Sequence, residues 1–117
     1  MNCIFCRIIE GELPSEFIYE DNYVVAFKDV NPQASTHVLL VPRTHIKNFF
    51  DESFYTDELR EMREHLWQAI PKVLEAAGLD DSSGFRLIQN NGEAIGQSVP
   101  HLHFHLLSGK GLDESLV

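Results

Sequence analysis

Apolar residues repeat with two different periods along this chain. Tyr23-Val24-Val25-Ala26-Phe27 is apolar at every position, which fits a central strand buried on both faces. A second strand, His37 to Val41, closes at Pro42, and Asn31-Pro32-Gln33-Ala34-Ser35 between them carries turn formers. From Thr56 to Gly78 the period changes. Leu59, Met62, Leu66, Ile70, Val73, Leu74 and Ala77 recur at steps of three and four, the spacing of an amphipathic helix. Thr56 or Asp57 can cap its start and Gly78 can close it. Pro71 should kink or break it, at about 3 kcal/mol in an unrelieved interior. Met62 and Trp67 read as packing residues. A third strand, Gly84 to Gln89, leads through an Asn-Gly loop to a last strand that carries three histidines. This order predicts an α+β fold with a mainly antiparallel sheet and one long helix. The 117 residues make one domain without repeats or a linker. Ser108 to Val117 reads as a loosely ordered tail.

The last strand carries the chemistry. In His101-Leu102-His103-Phe104-His105 the side chains alternate between faces, so three imidazoles line one face. Leu102, Phe104 and Leu106 line the other and form an ordinary core face. Ionisable rings pack poorly, and a solvated face would more usually carry Thr, Lys or Glu. One flat strand does not aim all three at one ion: residues i and i+4 lie roughly 13 Å apart, whereas zinc–nitrogen bonds are about 2 Å. The rings therefore have separate tasks. Upstream, Asn90-Asn91-Gly92-Glu93-Ala94-Ile95-Gly96-Gln97-Ser98-Val99-Pro100 places two glycines, an amide and a hydroxyl before them. Glycine allows close backbone approach to a ligand, and amides in such turns hold anions. Alone, the Asn-Gly pair would simply make a hairpin turn. Beside three aligned histidines the loop reads as a phosphate cradle.

Net charge is −9, from 18 acidic and 9 basic residues. That argues against nucleic acid or an anionic membrane as partner, and leaves room for a mononucleotide in a local pocket. Apolar content of 44% and charged content of 23% are globular values. No segment approaches the ~18 apolar residues of a membrane span. Met1-Asn2-Cys3 opens no secretory signal, so a cytoplasmic location is expected. Both cysteines lie in Cys3-Ile4-Phe5-Cys6. A disulfide over so short a loop removes little chain entropy. In a reduced compartment a metal pair is the better reading, and its other two ligands must come from elsewhere.

Gly96-Gln97-Ser98-Val99-Pro100-His101-Leu102-His103-Phe104-His105-Leu106-Leu107 resembles the signature of the histidine triad (HIT) family, in particular its Hint-like nucleoside phosphoramidate hydrolases. Cys3-Ile4-Phe5-Cys6-Arg7-Ile8-Ile9, Pro14, Tyr19-Glu20-Asp21, Ala26-Phe27-Lys28-Asp29, His37-Val38-Leu39-Leu40-Val41-Pro42 and His45 follow in the family's order. The resemblance implies a HIT-like fold with a short N-terminal helix. It implies hydrolysis of adenosine 5′-phosphoramidates to monophosphate and amine, through a covalent nucleotidyl-histidine. His103, central in the row, matches the nucleophile, with the backbone carbonyl of His101 holding its other ring nitrogen. His105 falls beside the phosphate, and His37 is the fourth pocket histidine. Ser98, Gln97 and Asn90 match positions that bond the phosphate and leaving group. Asp29 matches the ribose-binding carboxylate, and Phe27, Val30, Ile8 and Phe5 the slot for a purine base. Cys3, Cys6, His45 and His101 match a structural zinc site in bacterial-type members, and no organic cofactor is implied. The resemblance also implies a homodimer built through the long helix and an edge strand. Glu93 and Ile95 stand where Hint-like sequences often have small residues, which bears on loop shape and leaving group. Two other functions fit the same residues. One is a dinucleoside polyphosphate hydrolase or nucleotidyl transferase, usually with extra chain for a second nucleotide. The other is a zinc-stabilised nucleotide-binding module.

Overall fold

The computed structural model describes residues 3–112. Five strands form one sheet: β1 (Phe17–Glu20), β2 (Val24–Lys28), β3 (Thr36–Pro42), β4 (Arg86–Ile88) and β5 (Phe104–Ser108). Their spatial order is β1-β2-β3-β5-β4, and every neighbouring pair is antiparallel. A short helix, α1 (Ile4–Ile9), precedes the sheet, and a long one, α2 (Arg60–Ala76), crosses between β3 and β4. The α+β reading holds in full.

The period-two pattern sorts the sheet into two cores. Val24, Ala26, Val38, Leu40, Leu102, Phe104 and Leu106 face α2 and pack on Met62, Leu66, Ala69 and Val73. Their alternates Val25, Phe27, Leu39 and Val41 face the other way and pack with Cys3 and Phe5 of the N-terminal segment. The histidines lie on this second side. In the ladder His105 pairs with Leu39 and His37 with Leu107, which brings the two rings to one patch of sheet. Burial on both faces explains why β2 and β3 read as unbroken apolar runs.

Several elements depart from the sequence expectation. β1 was not predicted; its four residues are at most half-buried, and its register slips between Phe17 and Tyr19. β5 begins only at Phe104, so His101 to His103 run ahead of the regular ladder, although the in-out alternation persists through them. The helical segment is split. Single 3-10 turns cover Glu52–Tyr55 and Asp57–Leu59, and α2 starts at Arg60. Thr56 does not cap a helix; its hydroxyl donates back to the carbonyl of Ser53. Gly78, at φ +73°, closes α2 as expected. α2 also runs through Pro71 without a break. Pro71 and Trp67 are both exposed, so water can serve the carbonyl that loses its donor. Trp67 is 59% exposed, with its ring 5.9 Å from that of Phe104, so it is not a core residue of this chain. Finally, Ser108 is buried in β5, and Lys110 is bonded through its backbone to Ser35, so residues 108–110 are not loose. The end of the expected tail, residues 113–117, lies outside the described residues.

Candidate active site and metal centre

The side of the sheet away from α2 carries a cleft of about 210 Å³. Its wall includes Phe5, Ile8, Phe27, Asp29, Val30, Ser98, His103 and His105. Eight residues named from the sequence for catalysis or substrate binding therefore meet in one place. Ile4, Pro14, Ser15, Lys28, Leu39 and Val99 complete the lining. Their individual signals were absent, because each reads as an ordinary helix, loop or strand residue. Three expected residues lie elsewhere. His37 sits behind His105, Asn90 is half-buried at the start of the loop after β4, and Gln97 is buried within that loop.

His103 is 5% exposed, and its Nδ1 lies 2.7 Å from the carbonyl oxygen of His101. A carbonyl only accepts, so Nδ1 carries the hydrogen and Nε2 keeps its lone pair. Burial pushes this imidazole below its ordinary range, against the opposing pull of the carbonyl and of Asp29. It is a neutral ring with one nitrogen available as a nucleophile. Phe5 stands edge-on to it, ring centres 5.0 Å apart, and also touches Phe27 and His101.

His105 is held at about 4 by burial first, with His103 and His37 adding repulsion and Asp29 working the other way. Its Nδ1 lies 2.9 Å from Nε2 of His37, and that same nitrogen lies 3.4 Å from Oδ2 of Asp29. Burial also lowers His37, again against Asp29. Asp29 uses its other oxygen to accept from the backbone N–H of Asn31.

Gln97 was expected to touch the phosphate, and its geometry gives it another job. Its Nε2 donates to the carbonyls of Lys47 (2.7 Å) and Val99 (3.1 Å). Its Oε1 accepts from Nδ2 of Asn48 (2.9 Å) and from the N–H of Gly92 (2.8 Å). A glutamine amide offers two donors and two acceptor positions, and all four are engaged. Gln97 braces the loop instead of reaching a ligand. Buried Asn48, its partner, carried no signal in the sequence. Gly92 and Gly96, at φ +106° and +101°, supply turns that other residues rarely adopt.

Behind Phe5, Cys3, Cys6, His45 and His101 bring four ligand atoms within 4.8 Å of one another. Sγ of Cys3 is 3.4 Å from Nδ1 of His101, and Sγ of Cys6 is 3.3 Å from Nδ1 of His45 and 3.6 Å from that of His101. The two Nδ1 atoms are 3.2 Å apart. Tetrahedral bonding to zinc, with its usual bond lengths, places donors about 3.3–3.8 Å from one another. The donor set fits in chemistry and in spacing. His101 is oriented for it: its Nε2 lies 2.8 Å from the carbonyl oxygen of Pro42, so Nε2 carries the hydrogen and Nδ1 offers a lone pair to the cluster. Without an ion, burial and the neighbouring Cys3 push the Cys6 thiol up to about 11.

The site thus joins three buried histidines, His37, His101 and His103, the last with its tautomer fixed by a carbonyl, to a cleft on the side of the sheet away from α2. The HIT domain model matches residues 10–112, and the chain belongs to the HIT family. It is 42% identical over 113 residues to the protein named Protein hit of Bacillus subtilis, covering 94% of this chain and 74% of that one. It is 38% identical over 113 residues to the purine nucleoside phosphoramidase of Escherichia coli K12, covering 97% and 92%. Among solved structures, a HIT family hydrolase from Clostridium thermocellum superposes with a TM-score of 0.85 at 42% identity, covering 99% of this chain and 97% of that one. Among the described residues no helix is long and apolar enough to cross a membrane.

Proposed function

We propose that this HIT-family protein is a hydrolase that splits purine nucleoside 5′-phosphoramidates into nucleoside monophosphate and amine, with His103 as nucleophile. The observation that carries the reading is the His103 ring, buried, neutral and fixed through Nδ1 to a carbonyl, on the wall of a mixed apolar and polar cleft. Nε2 attacks phosphorus, forming a P–N bond while the bond to the amine breaks and the amine leaves with a proton. Water then attacks the same phosphorus and releases a proton that replaces the one carried off by the amine, and the P–Nε2 bond breaks to restore the lone pair. The bond made is close in type to the bond broken, so the intermediate is not a deep trap. His105 faces the phosphate oxygens or the bridging atom, and Ser98 at the cleft assists the departing amine. Asp29 takes the ribose hydroxyls, and Phe5, Ile8, Phe27 and Val30 form the slot for the base. The similarity to a phosphoramidase along nearly the whole chain supports this choice of substrate.

Cys3, Cys6, His45 and His101 are proposed to hold a structural zinc. When bound, it supplies a closed four-ligand anchor with no open position for water. These residues then tie α1 to the segment that carries His101. A second copy of the chain is proposed to cover α2 and edge strand β4, where Trp67, Phe85 and Leu87 are exposed.

Turnover of adenosine 5′-phosphoramidate should exceed that of a diadenosine polyphosphate, and both should collapse in His103→Ala. Preference for the dinucleotide would transfer the reading to polyphosphate hydrolysis. No turnover of either would leave a nucleotide-binding module.

A further inference from the structure

The C-terminal segment is clasped to the turn between β2 and β3. The carbonyl of Lys110 accepts from the N–H of Ser35 at 2.8 Å, and the N–H of Lys110 donates to Oγ of Ser35 at 2.9 Å. The glycines on either side of Lys110 fit because they lack a Cβ. One added at Gly109 would lie 2.7 Å from Cβ of Ser35, and one at Gly111 would lie 2.6 Å from the carbonyl oxygen of Gln33. A Cβ at Gly11, Gly78, Gly84, Gly92 or Gly96 would meet nothing within 4 Å. Close backbone approach is what these two glycines provide.

The clasped turn faces the active site through one atom. The backbone N–H of Gln33 donates to Nδ1 of His37 at 3.0 Å. A peptide N–H can only donate, so Nδ1 of His37 holds a lone pair and its Nε2 carries the hydrogen. That hydrogen points to Nδ1 of His105 at 2.9 Å, with Oδ2 of Asp29 at 3.4 Å. Nδ1 of His105 must then accept, and the neutral ring carries its own hydrogen on Nε2. The same polarity tells against a metal at Asp29, His37 and His105, although their ligand atoms are close enough for one. A ligating Nε2 would need a hydrogen on Nδ1, facing the Gln33 N–H.

We propose that the Ser35–Lys110 clasp is a positioning device that holds the Gln33 N–H on His37 and thereby fixes His105 as an Nε2–H donor toward the cleft. His105 is the group that touches substrate; Gln33, Ser35 and the Gly109-Lys110-Gly111 strap act through it. The kinetic consequence rests on the phosphoramidate reading, whereas the tautomer is a property of the free protein.

Long-range nitrogen–carbon-bound-proton NMR of the histidine-labelled full chain reads each tautomer without substrate. The unaltered chain should show His105 and His37 with hydrogen on Nε2 and His103 with hydrogen on Nδ1. His105 found with hydrogen on Nδ1 would overturn the proposal before any variant is made. Gln33→Pro, which removes the donor, and Gly111→Ala, which wedges the strap off the turn, should each turn His105 into a tautomer mixture. His103, held by a separate carbonyl, serves as the internal check on folding. Gln33→Ala keeps the N–H and should keep the His105 signature. In Gly111→Ala, kcat on a phosphoramidate should fall on the order of tenfold, part of the effect of a full acid–base group, with KM little changed. Folded Gln33→Pro and Gly111→Ala proteins with His105 still purely Nε2–H would overturn the clasp's role. Loss of the tautomer change with turnover intact counts against the clasp alone, and absent phosphoramidate turnover with the tautomers as stated counts against the substrate reading alone.

Discussion

The backbone carbonyl of His101 accepts the Nδ1 hydrogen of His103 at 2.7 Å, while the His101 ring turns its own Nδ1 toward Cys3, Cys6 and His45. One residue thus holds the proposed nucleophile with its main chain and joins the four-ligand cluster with its side chain. Any displacement of His101 moves both. This is how Cys3 and Cys6 are linked to the His103 ring in the cleft on the far side of Phe5.

The metal prediction follows from that link. Protein purified without chelator should carry about one zinc per chain. Cys3→Ser should lower both metal content and Tm, and should reduce turnover through the His101 segment. Binding must release thiol protons, since the metal-free Cys6 thiol is pushed up to about 11, so apparent affinity should rise with pH. Zinc below about a tenth of the expected content, with the Tm of Cys3→Ser unchanged, would leave the thiols as packing.

Gln97→Ala should destabilise the fold by about 2–3 kcal/mol, because it strands the Asn48 amide, the Gly92 N–H and two carbonyls in a buried loop. Urea unfolding measures this directly. A loss below about 0.5 kcal/mol, the range of ordinary surface changes, would return Gln97 to the list of ligand contacts.

Stability should fall in mild acid. Burial, then His103 and His37, hold His105 at about 4, and burial holds His37 below its ordinary range. In the unfolded chain both titrate near 6.5. As pH drops below about 6.5 the unfolded state takes up protons that the native state refuses, so stability is full above that value and declines toward about pH 4. Urea midpoints across this window should show the slope, and His105→Gln should flatten part of it. Midpoints independent of pH would contradict buried, neutral rings.

Much of this was legible in the sequence where one local pattern decided the outcome. Val24 to Phe27 and Val38 to Val41 are unbroken apolar runs because both faces are covered, and the histidine alternation survives even where β5 is not yet regular. β1 escaped because a short, half-exposed edge strand has neither period. The amide of Gln97 could be named, but whether it faces a ligand or the protein depends on Lys47 and Asn48, which no local pattern brings near. Pairing His45 with the two cysteines came from family resemblance; spacing alone left the last ligands open. The Ser35–Lys110 clasp joins segments far apart in the chain through the backbone of Lys110 and the N–H and hydroxyl of Ser35, a pairing that no local pattern reveals.

Association should depend on α2. Sedimentation at micromolar concentration is expected to show a dimer, and Trp67→Glu, at a residue 59% exposed in the single chain, should shift it to monomer. An unaltered chain that sediments only as monomer contradicts the proposed pairing.

The most direct test is to trap the covalent step. Rapid acid-free quenching of the protein with an adenosine 5′-phosphoramidate, followed by mass spectrometry, should find one nucleoside monophosphoryl group on the peptide containing His103, attached through nitrogen. His103→Ala should carry none, and its turnover should drop on the order of 10⁴-fold or more, as for loss of other covalent nucleophiles, while it still binds adenosine monophosphate. Near-normal turnover in His103→Ala, or the adduct on another residue, would contradict His103 as the nucleophile.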